Sequence, residues 1–307
     1  MYNFIDRFKY ILGGGFMIKQ MPNIALGTWT IEEPEIIEGI VTAALKNGYK
    51  HIDTAQAYSN ERAIGDALKK LDIPREEYWL TSKIHPLNYR NHASHSIKVS
   101  LEKLQTGYLD AMLLHASDSR KSNEIAYKEM LVAREQGLIK NIGVSNFGIK
   151  QLEALKEDVG EYPKYNQIAS SVKVRTIELE TFCKKNNIEL MGYSSIRPYF
   201  NNQGYPLKDE ERKIIDELAA KYNVGPALIL LSYVSQNGYV ILPQSTKPAR
   251  VIQNFGVTNI KLTDEEMNIL NDMVEYGDKQ ALEEYTRGED EGMFEAKRYE
   301  KGFGLSD

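Results

Sequence analysis

Cysteine is nearly absent from this chain: Cys183 is the only one among 307 residues. One thiol closes no internal disulfide, and nothing near it has metal-ligand spacing. The sequence therefore predicts a fold held by its core in a reducing, cytoplasmic compartment. Long apolar runs are missing as well. None approaches the ~18 residues a membrane span requires, so no membrane association is expected. Nor is there a basic surplus: Lys and Arg number 38 against 43 Asp and Glu, a net charge of −5. A nucleic-acid partner would call for the opposite sign. The five His are scattered, without the His and carboxylate spacing of a metal site, and no metal is expected. Residues 1–16 carry Asp6, Arg7 and Lys9 where a secretory signal would be apolar.

What remains is an ordinary globular composition, 42% hydrophobic and 26% charged, able to bury a sizeable core. The length admits two average domains or one α/β barrel of about 250 residues. Gly13-Gly14-Gly15 separates the amphipathic lead from the body, so residues 1–16 are expected to be a flexible extension, or to lie upstream of an alternative start at Met17. From Met21 the pattern alternates between short β-rich runs and longer stretches of helical periodicity, as repeated βα units do. The runs are Ile24–Gly27, Tyr49–Ile52, Tyr78–Thr81, Leu109–Leu114, Ile139–Val144, Lys164–Ile168, Ile188–Gly192 and Tyr239–Leu242. Helices are predicted at Pro34–Asn47, Asn60–Leu71, Ala93–Leu104, Ser122–Gln136, Asp209–Tyr222, from Pro226, and at Thr263–Val274 behind the cap Thr263-Asp264-Glu265-Glu266. The expected division is an extension over 1–20, a barrel over 21–274 and a charged tail over 275–307. That tail is either disordered or folded across the barrel mouth.

The informative regularity lies at the end of each run: Thr28-Trp29, Asp53, Lys83, His115, Ser145-Asn146, Gln167, Tyr193-Ser194 and Gln244-Ser245. In a (β/α)8 TIM barrel all these strand ends converge on one face, where active sites are found. A doubly wound sheet would split its site across a crevice and advertise a glycine-rich first turn. Gly13-Gly14-Gly15 is a poor match to that turn, with Ile18 where the third spaced glycine belongs.

Asp53, Tyr58, Lys83 and His115 suit proton delivery. A free tyrosine titrates near ~10, and a nearby ammonium favours its phenolate. A carboxylate keeps that ammonium charged, while an imidazole donates a hydrogen bond or relays a proton. Together they fit carbonyl reduction, in which an oxygen gains negative charge and must be protonated. Each residue has an ordinary reading too: Asp53 a turn cap, Tyr58 one of 19 tyrosines, Lys83 and His115 rim packing. Strands of a parallel sheet seldom end by chance in Asp, Lys and His in succession.

Along Ile24–Leu270 the chain resembles the aldo-keto reductase family. His51-Ile-Asp-Thr-Ala with Tyr58 and Asn60-Glu61 is similar to its first signature, and Lys83 and His115 complete what resembles its catalytic four. Gly143-Val-Ser-Asn-Phe147, Asn166-Gln167 and Gly192-Tyr-Ser194 resemble its nicotinamide pocket. The resemblance implies that Ser145, Asn146 and Gln167 bind the carboxamide, that Tyr193 stacks on the ring with Ser194 beside it, and that Gly27, Thr28, Trp29 and Asp53 border the cofactor. Trp29, Tyr58, His115 and Ala116 would line the substrate pocket. Leu242-Pro-Gln-Ser-Thr-Lys-Pro-Ala-Arg250, with Gln253 and Asn254, resembles the segment that holds the adenosine and its 2′-phosphate. There Ser245 and Thr246 would supply hydroxyls, and Arg250 would pair with phosphate and stack on adenine.

Departures accompany the match. Gln244 stands where the family usually has a lysine, Gln253 where a glutamate is common, and Ala116 where an aromatic often sits. Ala169 and Ser170-Ser171-Val172 replace an acidic and His-Pro stretch, and Ser194-Ser195-Ile196 replaces Ser-Pro-Leu. The loss of charge at Gln244 weakens the preference for NADPH over NADH without removing it, since Arg250 and Lys247 remain. The changes at Ala116 and over residues 169–172 and 194–196 predict an altered, roomier pocket behind an intact proton site. The implied activity is reduction of a small-molecule aldehyde or ketone, with NADPH favoured and NADH possible, by a monomer or small homo-oligomer. The alternative is a catalytically weak barrel of the same kind that binds the cofactor and acts through protein contacts.

Overall fold

The computed structural model describes residues 20–200, 205–275 and 277. The expected N-terminal extension and nearly all of the expected tail lie outside them. The strands are β1 (Leu26–Gly27), β2 (His51–Asp53), β3 (Trp79–Ile84), β4 (Leu109–Leu114), β5 (Ile139–Ser145), β6 (Tyr165–Ala169), β7 (Glu189–Tyr193) and β8 (Val240–Ile241). They form one parallel sheet whose spatial order is the chain order. A doubly wound sheet would reverse direction midway; this one does not. Its ends also meet. Ile24 pairs in parallel with Ile241, and Ala25 N donates to Ile241 O at 2.9 Å, Ile241 N to Asn23 O at 2.9 Å and Gly27 N to Pro243 O at 3.0 Å. At this seam a Cβ on Gly27 would stand 2.9 Å from the Leu242 carbonyl oxygen, so a glycine lets the two strands approach. The result is a curled, TIM-barrel-like α/β sheet.

Helices fill the connections: α1 (Pro34–Lys46), α2 (Glu61–Leu71), α3 (Ala93–Lys103), α4 (Arg120–Glu135), α5 (Ile149–Val159), α6 (Ile177–Lys185), α7 (Arg197–Phe200), α8 (Asp209–Lys221), α9 (Pro226–Gln236), α10 (Pro248–Phe255) and α11 (Asp264–Asn271). The predicted cap of α11 forms, with Thr263 Oγ1 accepting from Glu266 N and the Glu266 carboxylate accepting from Thr263 N. That helix ends at Asn271, short of the predicted Val274. Asn60 occupies the N-cap of α2 without a side-chain cap bond. Its amide donates instead to the Thr28 and Ile31 carbonyls, both at 2.8 Å, tying the β1 loop to the β2 loop.

The sheet divides the core by its two-residue alternation. Leu80, Met112, Leu114 and Ile168 face outward into a large cluster shared with the helices. Trp79, Ala111, Leu113, Tyr165 and Met191 face inward and pack with Met21, Ala25, Val240 and Leu242. Space inside is short: a Cβ on Gly143 would lie 2.3 Å from Leu113 Cδ2. The glycine of Gly143-Val-Ser-Asn is thus required by interior packing rather than by a turn.

Candidate active site

The inward positions, read upward from that interior layer, carry the polar side chains. Asp53 follows His51 by two residues, Lys83 follows Trp79 and Thr81, and His115 follows Ala111 and Leu113. In the same way Ser145 follows Gly143, Gln167 follows Tyr165, and Tyr193 follows Met191. The sequence reading set most of these just beyond the strands. Asp53, Ser145 and Tyr193 are instead the last residues of theirs and Lys83 lies inside β3, while Gln167 lies inside β6 as its predicted run has it. The ladder continues past the apolar run because these polar groups satisfy one another within the interior.

Four residues meet at one end of a cleft of about 650 Å³. Lys83 Nζ, fully buried, donates to Asp53 Oδ1 at 2.5 Å, to the Thr54 carbonyl at 2.9 Å and to the Tyr58 hydroxyl oxygen at 3.2 Å. Its three protons are thereby all committed. Burial pushes the Lys83 ammonium down, yet the Asp53 carboxylate and Tyr58 outweigh burial and hold it above its usual range. The His115 ring stands edge-on to Tyr58, centroids 5.5 Å apart. Burial, then the charges of Lys83 and His85, hold His115 well below the usual imidazole range, so it is neutral near pH 7. Behind Lys83, the outward Ser82 donates to buried Glu61 at 2.6 Å.

Amides and hydroxyls form the facing wall. Gln167 Nε2 donates to Asp53 Oδ2 at 2.9 Å, and Ser145 Oγ donates to the Gln167 carbonyl at 2.9 Å. Asn146 Nδ2 donates to Ser145 Oγ at 3.1 Å and to the His115 carbonyl at 3.3 Å. The Tyr193 hydroxyl donates to Asn146 Oδ1 at 2.7 Å. Thr28 Oγ1 donates to the Asp53 carbonyl at 2.9 Å. Thr30, Ser59, Asn146 and Ser194 hold left-handed backbone, with φ of 60°, 55°, 60° and 60°. Non-glycine residues in that region concentrate where a site over-determines the backbone.

Gly27, Thr28, Trp29, Asp53, Tyr58, His115, Ser145, Asn146, Gln167, Tyr193, Ser194 and Gln244 line the cleft, and Lys83 touches it through Tyr58 and Asp53. Ala116 does not; it is 2% exposed, and its carbonyl accepts from the Tyr89 hydroxyl. Ser245, Thr246, Arg250, Gln253 and Asn254 also stay outside the cleft, on the loop after β8 and on α10. Thr246, Arg250 and Gln253 are exposed and Asn254 is buried. The Gln244 amide donates to the Trp29 carbonyl. Ser195 and Ile196, from the altered Ser194-Ser195-Ile196 stretch, and Leu242 and Pro243, from the segment that resembles the adenosine holder, line the cleft too, as do Arg197 and Leu231, to which the sequence reading assigns no role. Arg197 was within reach of one further step along the loop after Tyr193; Leu231, midway along α9, carries no local signal. Among the described residues no three or more His, Cys, Asp or Glu stand where they could hold a metal ion, and no helix is long and apolar enough to cross a membrane.

The family model described as Aldo/keto reductase family matches residues 23–275. The chain belongs to this family. The match spans every strand of the sheet, and with it this aldo/keto reductase is an oxidoreductase of carbonyl groups. It is 35% identical to methylglyoxal reductase DkgA of Yersinia pestis over 80% of this chain and 87% of that protein. To glyoxal reductase of Bacillus subtilis it is 33% identical, over 81% of this chain and 87% of the other. A crystal structure of a Bombyx mori aldo-keto reductase in complex with NADP superposes with a TM-score of 0.75 at 28% identity, covering 84% of this chain and 90% of that one.

Proposed function

We propose that this protein reduces a small aldehyde or ketone to an alcohol with a nicotinamide dinucleotide, NADPH ahead of NADH, in a closed (β/α)8 barrel spanning residues 21–274. The observation that carries the reading is the Lys83 ammonium held between the Asp53 carboxylate and the Tyr58 hydroxyl at the edge of the cleft. A nicotinamide suits the facing wall: the cleft volume lies within the ~300–1,000 Å³ of small-molecule sites, and Ser145, Asn146 and Gln167 offer donors and acceptors for a carboxamide beside the flat Tyr193 ring. Arg250 and Lys247, both exposed beyond the cleft, suit the phosphates of a dinucleotide.

A bound reduced nicotinamide supplies the hydride. Tyr58 gives its phenolic proton to the carbonyl oxygen as negative charge develops there. Lys83, 3.2 Å from that hydroxyl oxygen, stabilises the phenolate left behind, and Asp53 keeps Lys83 charged and aimed. Neutral His115 orients the substrate oxygen through a ring N–H. The half-exposed Trp29 walls the substrate side, and the relatives named for methylglyoxal and glyoxal make small dicarbonyls the first substrates to test.

Titration with NADPH and NADH, followed by intrinsic fluorescence, and a panel of dicarbonyls, aldehydes and ketones test the reading together. Tighter NADPH binding with turnover is expected. Binding without turnover of any carbonyl would overturn the reductase reading in favour of a cofactor-binding regulatory barrel.

A further inference from the structure

Gln167 sits where the proton-donor group and the amide wall join. It is 2% exposed, at an inward position of β6. Its Nε2 lies 2.9 Å from Asp53 Oδ2, with Met191 Sδ 3.8 Å away on another side. Only one orientation of this amide is stable. A carboxylate is purely an acceptor, so the flipped amide would press Oε1 against Asp53 Oδ2. With Nε2 committed to Asp53, the amide offers the cleft its acceptor, Oε1.

The Asp53 carboxylate is in turn held from two sides. Lys83, from the neighbouring strand β3, takes Oδ1 at 2.5 Å, and Gln167, from β6, takes Oδ2 at 2.9 Å. The terminal torsion of an aspartate is broad and close to two-fold, so one partner leaves the carboxylate plane loosely set. Two partners fix it. That plane decides where Lys83 points, and Lys83 decides how the Tyr58 hydroxyl is held. Asn146 has no equivalent place: its Oδ1 accepts from Tyr193 and its Nδ2 serves Ser145 and the His115 carbonyl.

We propose that Gln167 is a positioning residue as well as a carboxamide contact. Its Nε2 sets the Asp53 carboxylate that aligns Lys83 and Tyr58, while its Oε1 accepts from the carboxamide amine. One amide then couples seating of the nicotinamide to alignment of the proton donor. This rests on the assignment above of Tyr58 as donor and of a nicotinamide in the cleft. It goes further in predicting that losing the Gln167 amide damages proton delivery even when the cofactor is saturating.

The test compares Gln167→Met and Gln167→Glu with the unaltered protein by two readouts: the pH profile of kcat at saturating NADPH, and the Kd of NADP⁺ against pH from fluorescence quenching. Gln167→Met removes both hydrogen bonds. Its NADP⁺ affinity should fall about 10-fold and its kcat about 10- to 100-fold, the loss of one hydrogen bond to an uncharged and one to a charged group. Gln167→Glu is isosteric and keeps the packing, but sets two carboxyls face to face. The pair retains a shared proton until the pH rises, so kcat and NADP⁺ affinity should each gain an ionisation that the unaltered protein lacks. If both variants bind NADP⁺ more weakly yet keep the original kcat and its pH profile, Gln167 is a cofactor contact only and the proposal is overturned. Tyr58→Phe, run alongside, separates the two failures. Full turnover in that variant removes the proton-donor assignment whatever the Gln167 variants do.

Discussion

At the β2–β4 end of the cleft, Asp53 and Lys83 lie buried and all three Lys83 protons are spoken for. Beyond the β8 end, Thr246, Arg250 and Gln253 stand exposed on the loop and on α10. The two regions handle charge in opposite ways. A proton donor has to be held within a fraction of an ångström in a medium of low dielectric, where a fixed ammonium is worth far more than in water. A phosphate needs only attraction and a few donors, and exposed cations supply both through solvent. The first region should therefore respond to pH and to isosteric substitution, the second to salt.

The largest effect expected is at the buried end. Tyr58→Phe removes one oxygen and the proton it carries, and reduction should fall about 10²- to 10⁴-fold while NADPH affinity changes little. Steady-state kcat beside fluorescence titration checks both halves, and a parallel loss of binding would place Tyr58 in the cofactor pocket instead. The interior below the site supplies a pH effect of intermediate size. Burial above all, aided by the charge of Lys83, drops His51 to about 3, against ~6.5 in an unfolded chain. The unfolded state then takes up a proton that the folded state refuses, so this contribution to stability is complete above ~6.5 and declines as the pH falls toward 3. Going from pH 7 to pH 5 should cost about 2 kcal/mol from His51. Urea unfolding at the two pH values measures it; a His51→Gln variant with the same pH slope as the unaltered protein would remove His51 as the cause.

The exposed end should give the smallest effect and a different signature. Arg250→Ala is expected to weaken NADPH about 10-fold, the size of one charge-assisted contact, and NADH by less. That loss should shrink as salt shortens the Debye length from ~10 Å at 0.1 M to ~3 Å at 1 M, while kcat holds. Equal losses for both cofactors would move Arg250 away from the 2′-phosphate.

Much of the site was legible because chemistry leaves rare residues in apolar strands. Asp53, Lys83, His115 and Gln167 stand in or just after short β-rich runs, and the structure brings Asp53, Lys83 and Gln167 into direct hydrogen-bonding contact around one carboxylate, with His115 edge-on to Tyr58. Strand ends were less legible. Lys83 reads as a terminator, yet it is paired with Leu113 within the sheet, so the ladder runs on to Ile84. Ala116 enters through the resemblance, at the position where an aromatic often sits, but in the bend after β4 it is buried outside the cleft, its carbonyl bound to the Tyr89 hydroxyl. Leu231 was invisible because its helix reaches the cleft only through packing.

The sequence by itself determined the repeat of βα units and which polar side chains share the inner face, because a period of two fixes the side of a sheet on which each residue lies. Only the tertiary structure decided that Gln167, 114 positions from Asp53, meets its second oxygen, and that Arg197 and Leu231 join the same wall. Contacts across a curled sheet depend on which strands stand opposite one another, and no local pattern records that.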